Sequence, residues 1–122
     1  MSFESLLLRV ALIVNLAVLL PVCYGMLSRA DWAAQAYGDA SRARDLLLAV
    51  YLAIALCSAV LIAIPLGHSL LMAGLMLLCF QVVYKLLSLY TLGGMSHPVA
   101  KANLLIALTH LSIIGLILYR KS

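Results

Sequence analysis

The chain has 122 residues, 66% of them hydrophobic and 10% charged, with a formal net charge of +4 and a mean hydropathy of +1.18. About half or less of a typical soluble domain is apolar, so this composition excludes a water-soluble globule. The cations flank apolar runs, where anionic headgroups attract them, and so do not make a nucleic-acid signature.

The first apolar run, 6–27, is long enough to cross a hydrocarbon core of about 30 Å. Glu4 stands where a signal peptide carries a basic segment, Arg9 interrupts the run, and no A-x-A-like cleavage site follows. A retained span is therefore expected rather than a cleaved leader. "LPVC" (20–23) faintly suggests a lipoprotein box, but Pro21 and Val22 are poor neighbours for that cysteine. The connector 28–45, "SRADWAAQAYGDASRARD", carries Trp32 and Tyr37, aromatics suited to headgroup level. It predicts a short helix on the membrane surface, and nothing in it resembles a nucleophile with its base.

Three further runs follow at 46–65, 69–92 and 99–119, separated by "PLGH" (65–68) and by "GGMSHP" (93–98), whose glycines and proline punctuate a turn. Links this short make the last three spans antiparallel neighbours. The expected fold is all-α: a polytopic membrane protein built as an up-and-down four-transmembrane-helix bundle, a single integral membrane domain with both termini on one face. That face carries Arg9, Arg120 and Lys121, and the opposite one Arg29, Arg42, Arg44 and Lys101. Three cations against four leave the orientation open under the positive-inside rule.

Polar residues inside a membrane belong on faces turned to protein or water. In the third span Gln81, Lys85 and Ser88 are spaced i, i+4, i+7 on one stripe, and Tyr51, Ala55 and Ser58 repeat that spacing in the second. Asn103 and His110 lie seven apart in the fourth, and the first contributes Asn15. The depths suggest two layers. A mouth holds Lys85, Tyr51, Ser88 and Asn103, with Lys85 roughly 10 Å inside the connector face; a floor holds Asn15, Ser58, Gln81 and His110. All eight are candidate ligand-binding residues. For Asn15, Ser58 and Gln81 the competing reading is interhelical glue, worth about 0.6 kcal/mol per hydrogen bond. Ala55, Ala59 and Ala63 form a small-residue ridge that fits close helix packing. For Lys85 the alternatives are a binding role, pairing with Asp31, Asp39 or Asp45, and snorkelling of its long stem to the interface.

Each span lacks an embedded carboxylate, which argues against a small multidrug exporter, a family of matching size that carries a membrane glutamate. A cationic pocket suits an anionic group or a polarised quinone or carbonyl oxygen. Cys23, Cys57 and Cys79 form no C-x-x-C and read as small apolar residues. His68 and His97 sit in connectors on opposite faces, so neither a metal site nor a bis-histidine haem is expected, and no cofactor is specified.

Two segments resemble the DoxX-like group of small bacterial four-helix membrane proteins. "LLLRVALIVNLAVLL" (6–20) places an arginine just inside the opening run, and "FQVVYKLLSLYTLGG" (80–94) places a cation before a glycine turn. The likeness covers most of the chain. The glycine-lysine element that such proteins often carry after the first span is absent, since "CYGMLSRADW" (23–32) stands there. The resemblance implies an accessory role beside redox or detoxification enzymes and quinones. The expected function is thus a bacterial inner-membrane accessory or binding subunit, non-enzymatic by itself, with the bilayer and a protein partner or a second copy as its partners. The alternatives are a homo-oligomeric transporter or channel and a membrane immunity or interaction protein, with an enzyme last.

Overall fold

A computed structural model describes residues 2–121, with only the backbone of Lys121. Five helices appear in order: α1 (Phe3–Leu27), α2 (Asp31–Tyr37), α3 (Arg42–Ala63), α4 (His68–Thr91) and α5 (Pro98–Lys121). All but α2 are long and apolar enough to cross a membrane. The all-α class with four membrane-length helices is the one the four apolar runs predict.

Boundaries move by a few residues, each for a local reason. Helix α3 starts at Arg42 rather than 46 because Ser41, in an extended conformation, caps it by accepting the Arg44 N–H at 3.1 Å. It ends at Ala63, two residues before Pro65, as the ring of a proline disfavours helix in the residue preceding it. Helix α5 opens on Pro98, whose fixed φ suits the first helical position, and the His97 Nδ1 accepts the Val99 N–H at 3.2 Å. The surface helix expected over 28–45 is confined to the seven residues of α2.

The chain divides into two compact units. One comprises α4 and α5 with the opening turns of α1, up to Ala11. Here α4 and α5 pack as an antiparallel pair. Their turn is set by Gly93 at φ 84°, a conformation that costs glycine little. The Gly94 N–H donates to Leu89 O at 2.7 Å and the Gly93 N–H to Tyr90 O at 3.2 Å, which together close a Schellman motif. The α1 helix approaches α4 closely at Gly74, where a Cβ would strike the side chain of Leu8. Both ends of the helical chain meet here: Arg120 Nε lies 3.5 Å from Glu4 Oε1, and its guanidinium covers the Phe3 ring at 4.6 Å.

Residues Leu12–Ile64 make the second unit, with the rest of α1, α2 and α3. The end of α1 is also a Schellman motif, with Ala30 N–H on Gly25 O at 2.9 Å and Arg29 N–H on Met26 O at 3.3 Å. Its left-handed position, φ 57°, is held by Arg29 instead of a glycine. The buried Arg44 fastens this corner, donating from Nη2 to Met26 O at 3.0 Å and from Nη1 to Gly38 O at 2.8 Å. Trp32 lies directly on Gly25, leaving no room for a Cβ there. The small-residue ridge is corrected. Ala55 is buried, but Ala59 and Ala63 are exposed, because a four-residue repeat drifts around a helix of 3.6 residues per turn. The buried stripe runs instead through Tyr51, Ile54, Ala55 and Ser58.

Polarity is inverted relative to a soluble protein. Large apolar side chains such as Ile13, Leu20, Leu56, Met76, Val83 and Leu105 are exposed, while Asn15, Arg44, Ser58, Gln81, Lys85, Asn103 and His110 are buried. A chain that turns its oil outward needs a nonpolar solvent. The protein is an integral membrane protein.

Candidate functional site

Five of the eight candidate residues lie on the α4–α5 pair. Asn103 Nδ2 donates to Ser88 Oγ at 2.8 Å, a bond between the two helices, and the half-buried Ser88 hydroxyl donates to Lys85 O within α4. Lys85 is only 4% exposed. Its ammonium donates to the Tyr84 hydroxyl at 2.8 Å and stands 4.6 Å from the centroid of that ring. With Lys85 turned inward, spacing alone would send Tyr84 to a different face. The flexible stem instead brings the Lys85 head around to its sequence neighbour. Phe80 supports Tyr84 at 5.6 Å between ring centroids.

The bond between Ser88 and Asn103 fixes the register of the pair. Seven residues back from Ser88 stands Gln81, and seven onward from Asn103 stands His110. In antiparallel helices these steps run the same way, so Gln81 faces His110 about 10 Å deeper, with Lys85 between the two levels. Both residues are fully buried. Gln81 Nε2 donates to Leu77 O at 3.3 Å and Gln81 Oε1 has no hydrogen-bond partner among the described residues, while the His110 ring lies against the Ala11 backbone carbonyl without completing a well-formed hydrogen bond. An unsatisfied buried polar group costs about 1–3 kcal/mol. The upper level is thus closed by its own bond and the lower one is left with acceptor and donor capacity.

Among the described residues of this unit Lys85 has no ion-paired acid. Neither α4 nor α5 contains an aspartate or glutamate, and the carboxylate on α1 in the unit, that of Glu4, is held by Arg120. A cation in such a place acts on oxygen lone pairs: it polarises a carbonyl or neutralises an anion.

The other three candidates lie in the second unit. Asn15 Nδ2 donates to Ser58 Oγ at 3.3 Å, with both residues buried. Tyr51 is buried and meets Tyr37 edge to face, ring centroids 6.0 Å apart. Burial, and then the neighbouring Cys23, push the Tyr37 hydroxyl above the usual tyrosine range. The Asn15–Ser58 bond joins α1 to α3, the kind of contact that the glue reading of those residues expects.

Spacing along the spans singled out Gln81, Lys85, Ser88, Tyr51, Ser58, Asn103 and His110, and missed Arg44, Tyr84 and the buried Ser5 of α1. Arg44 sits in a run of connector charges with no pattern to set it apart from Arg42. The signal that could have raised it is a cation near the carbonyl end of a preceding helix. Of the three cysteines Cys23 is buried and Cys57 exposed, and among the described residues no three of His, Cys, Asp and Glu converge as metal ligands.

Comparison with protein-family models, with curated proteins and with solved structures gives no match in any of the three.

Proposed function

We propose that the protein is a small accessory or binding subunit of a bacterial inner membrane, whose α4–α5 seam receives the polar head of a small amphipathic or anionic molecule. What carries this reading is the unsatisfied lower level, Gln81 Oε1 against His110, beneath a buried lysine without a carboxylate on either helix. A quinone-like head suits these groups. Lys85 and one N–H of His110 donate to carbonyl oxygens, while Gln81 Oε1 accepts from a hydroxyl of the reduced form. A fatty carboxylate would use Lys85 as its charge partner. The groups are suited to binding and polarising an oxygen, which supports a subunit working beside a redox enzyme. The DoxX-like resemblance of 6–20 and 80–94 points the same way.

The test uses the intact protein in mild detergent. A short-chain benzoquinone and a medium-chain fatty acid are titrated separately while thermal stability is followed. Either one should raise the melting temperature in the parent, and Lys85→Met should abolish the rise. No response to either would overturn the ligand reading. The solubilised mass then separates the roles: a complex with a second protein supports an accessory subunit, whereas a homodimer favours the transporter reading.

A further inference from the structure

The amide of Gln81 is locked in one orientation. Its Nε2 donates to Leu77 O at 3.3 Å, one turn back along α4. A carbonyl oxygen can only accept, so the amino edge faces Leu77 and the amide oxygen faces away from it. Turning the amide over would set two lone-pair oxygens against each other. Gln81 is fully buried, and its Oε1 has no hydrogen-bond partner among the described residues. It is a fixed acceptor in want of a donor.

One turn onward, about 6 Å along the axis, α4 presents a group of the opposite kind. The Lys85 ammonium has three N–H donors and no lone pair, and the Tyr84 hydroxyl takes one of the three. His110 sets no comparable demand, because a neutral imidazole offers one N–H and one lone pair. The requirement on a ligand is therefore asymmetric. Any oxygen with lone pairs serves Lys85, whereas Gln81 Oε1 needs an O–H or N–H. A hydroquinone carries both functions on one ring: one hydroxyl donates to Gln81 Oε1 while the oxygen across the ring accepts from Lys85. The corresponding quinone has lone pairs only. It meets Lys85 as well, but sets a carbonyl oxygen against Gln81 Oε1 and leaves that acceptor buried and unpaired. A carboxylate has the same fault.

We propose that Gln81 makes the α4–α5 seam selective for a hydroxyl-bearing aromatic head, so that it holds a hydroquinone more tightly than the matching quinone. The inference rests on the seam being a ligand site, and adds which redox state that site retains. Preference for the reduced form has a consequence by linkage. It raises the midpoint potential of the bound couple by about 30 mV for each tenfold difference in affinity of a two-electron pair.

The full chain in mild detergent is titrated under argon with durohydroquinone, with duroquinone and with the dimethyl ether of the hydroquinone, while the melting temperature is followed. The four ring methyls block addition of thiols to the quinone, and the ether keeps the ring but has no O–H. Leaving a buried acceptor unpaired weakens binding by about tenfold or more, so durohydroquinone should bind the parent tighter than duroquinone and the ether by at least that factor. Gln81→Met, close in volume and without the amide oxygen, should weaken the hydroquinone, spare the quinone and so bring the two affinities together. Equal binding of both redox forms by the parent, or tighter binding of the quinone, overturns the preference and leaves the seam a ligand site. That comparison needs no variant and decides the matter if Gln81→Met does not fold. A preference that survives in a folded Gln81→Met protein overturns Gln81 as its source. No response to either redox form is a separate failure, which removes the quinone-like ligand and the preference with it.

Discussion

Lys85 combines two facts that pull in opposite directions. Burying a cation at the centre of a membrane helix costs about 2.5–3.5 kcal/mol on insertion scales, less toward the interface. Among the described residues its hydrogen-bonded partner is the neutral Tyr84 hydroxyl, backed by the face of the ring. A cation held so sparingly contributes little to folding, so Lys85→Met should melt at the parent's temperature or slightly above it. Growth, or assembly with a partner protein, should fall in the same variant. Lys85→Arg keeps the charge but replaces a compact ammonium by a broad fork, and a fitted pocket should resist it. Full function in both variants would show that the head merely finds the interface; unfolding of Lys85→Met would make the cation structural. Gly74 poses the opposite problem, of space rather than charge. A side chain there meets the fully buried Leu8, so Gly74→Val should destabilise the protein by about 1–3 kcal/mol through overpacking. Leu8→Ala in the same chain should recover part of the loss, which a denaturation series on the two single variants and the double one would show. If Leu8→Ala only adds to the damage, the close approach is not where the strain lies.

Two helices end in the same Schellman geometry and are held there by different means. At the end of α4 the left-handed residue is Gly93, and at the end of α1 it is Arg29. A left-handed residue with a side chain costs about 1–2 kcal/mol over its ordinary conformation, and Arg44 offsets part of this by donating to Met26 O, the carbonyl that also receives Arg29 N–H. Arg29→Gly should therefore leave stability equal or raise it by up to about 1 kcal/mol. Arg44→Met should lower it by about 2–4 kcal/mol, since two carbonyls lose charge-assisted donors. Thermal melts of both variants in one detergent check the pair, and an Arg44→Met protein as stable as the parent would refute the clamp. These corners also mark where sequence reading stopped. Apolar runs and polar breaks gave the helices, because a bilayer demands about twenty apolar residues per crossing and little else. Caps hid from it, since Ser41 and His97 look like any other loop residues until a helix start is known. The buried stripes of α3 and α4 were legible from spacing, but the unsatisfied state of Gln81 and His110 was not. It depends on the register between α4 and α5, a relation that no single helix contains.

For the molecule in its membrane, the ends of the chain carry the decisive constraint. The four long helices have 25, 22, 24 and 24 residues, about 33–38 Å each at 1.5 Å per residue, so each can cross a bilayer once with some tilt. An even number of crossings returns the chain to the side on which it began. Independent of that count, Arg120 pairs with Glu4 and covers Phe3, which places the end of α5 beside the start of α1. The connector holding α2 and Asp39 then belongs one crossing away. With Cys23, Cys57 and Cys79 replaced by alanine, single cysteines are introduced as Ser2→Cys, Asp39→Cys and Ser122→Cys. A membrane-impermeant maleimide applied to sealed, uniformly inserted vesicles should modify the first and third from one side and the second from the other. Salt should not scramble the result, because the crossings are fixed by apolar burial and not by the Glu4–Arg120 ion pair. Labelling of positions 2 and 122 from opposite sides would mean that one of the four helices does not span, and α3 would be the first to suspect, as the shortest of them.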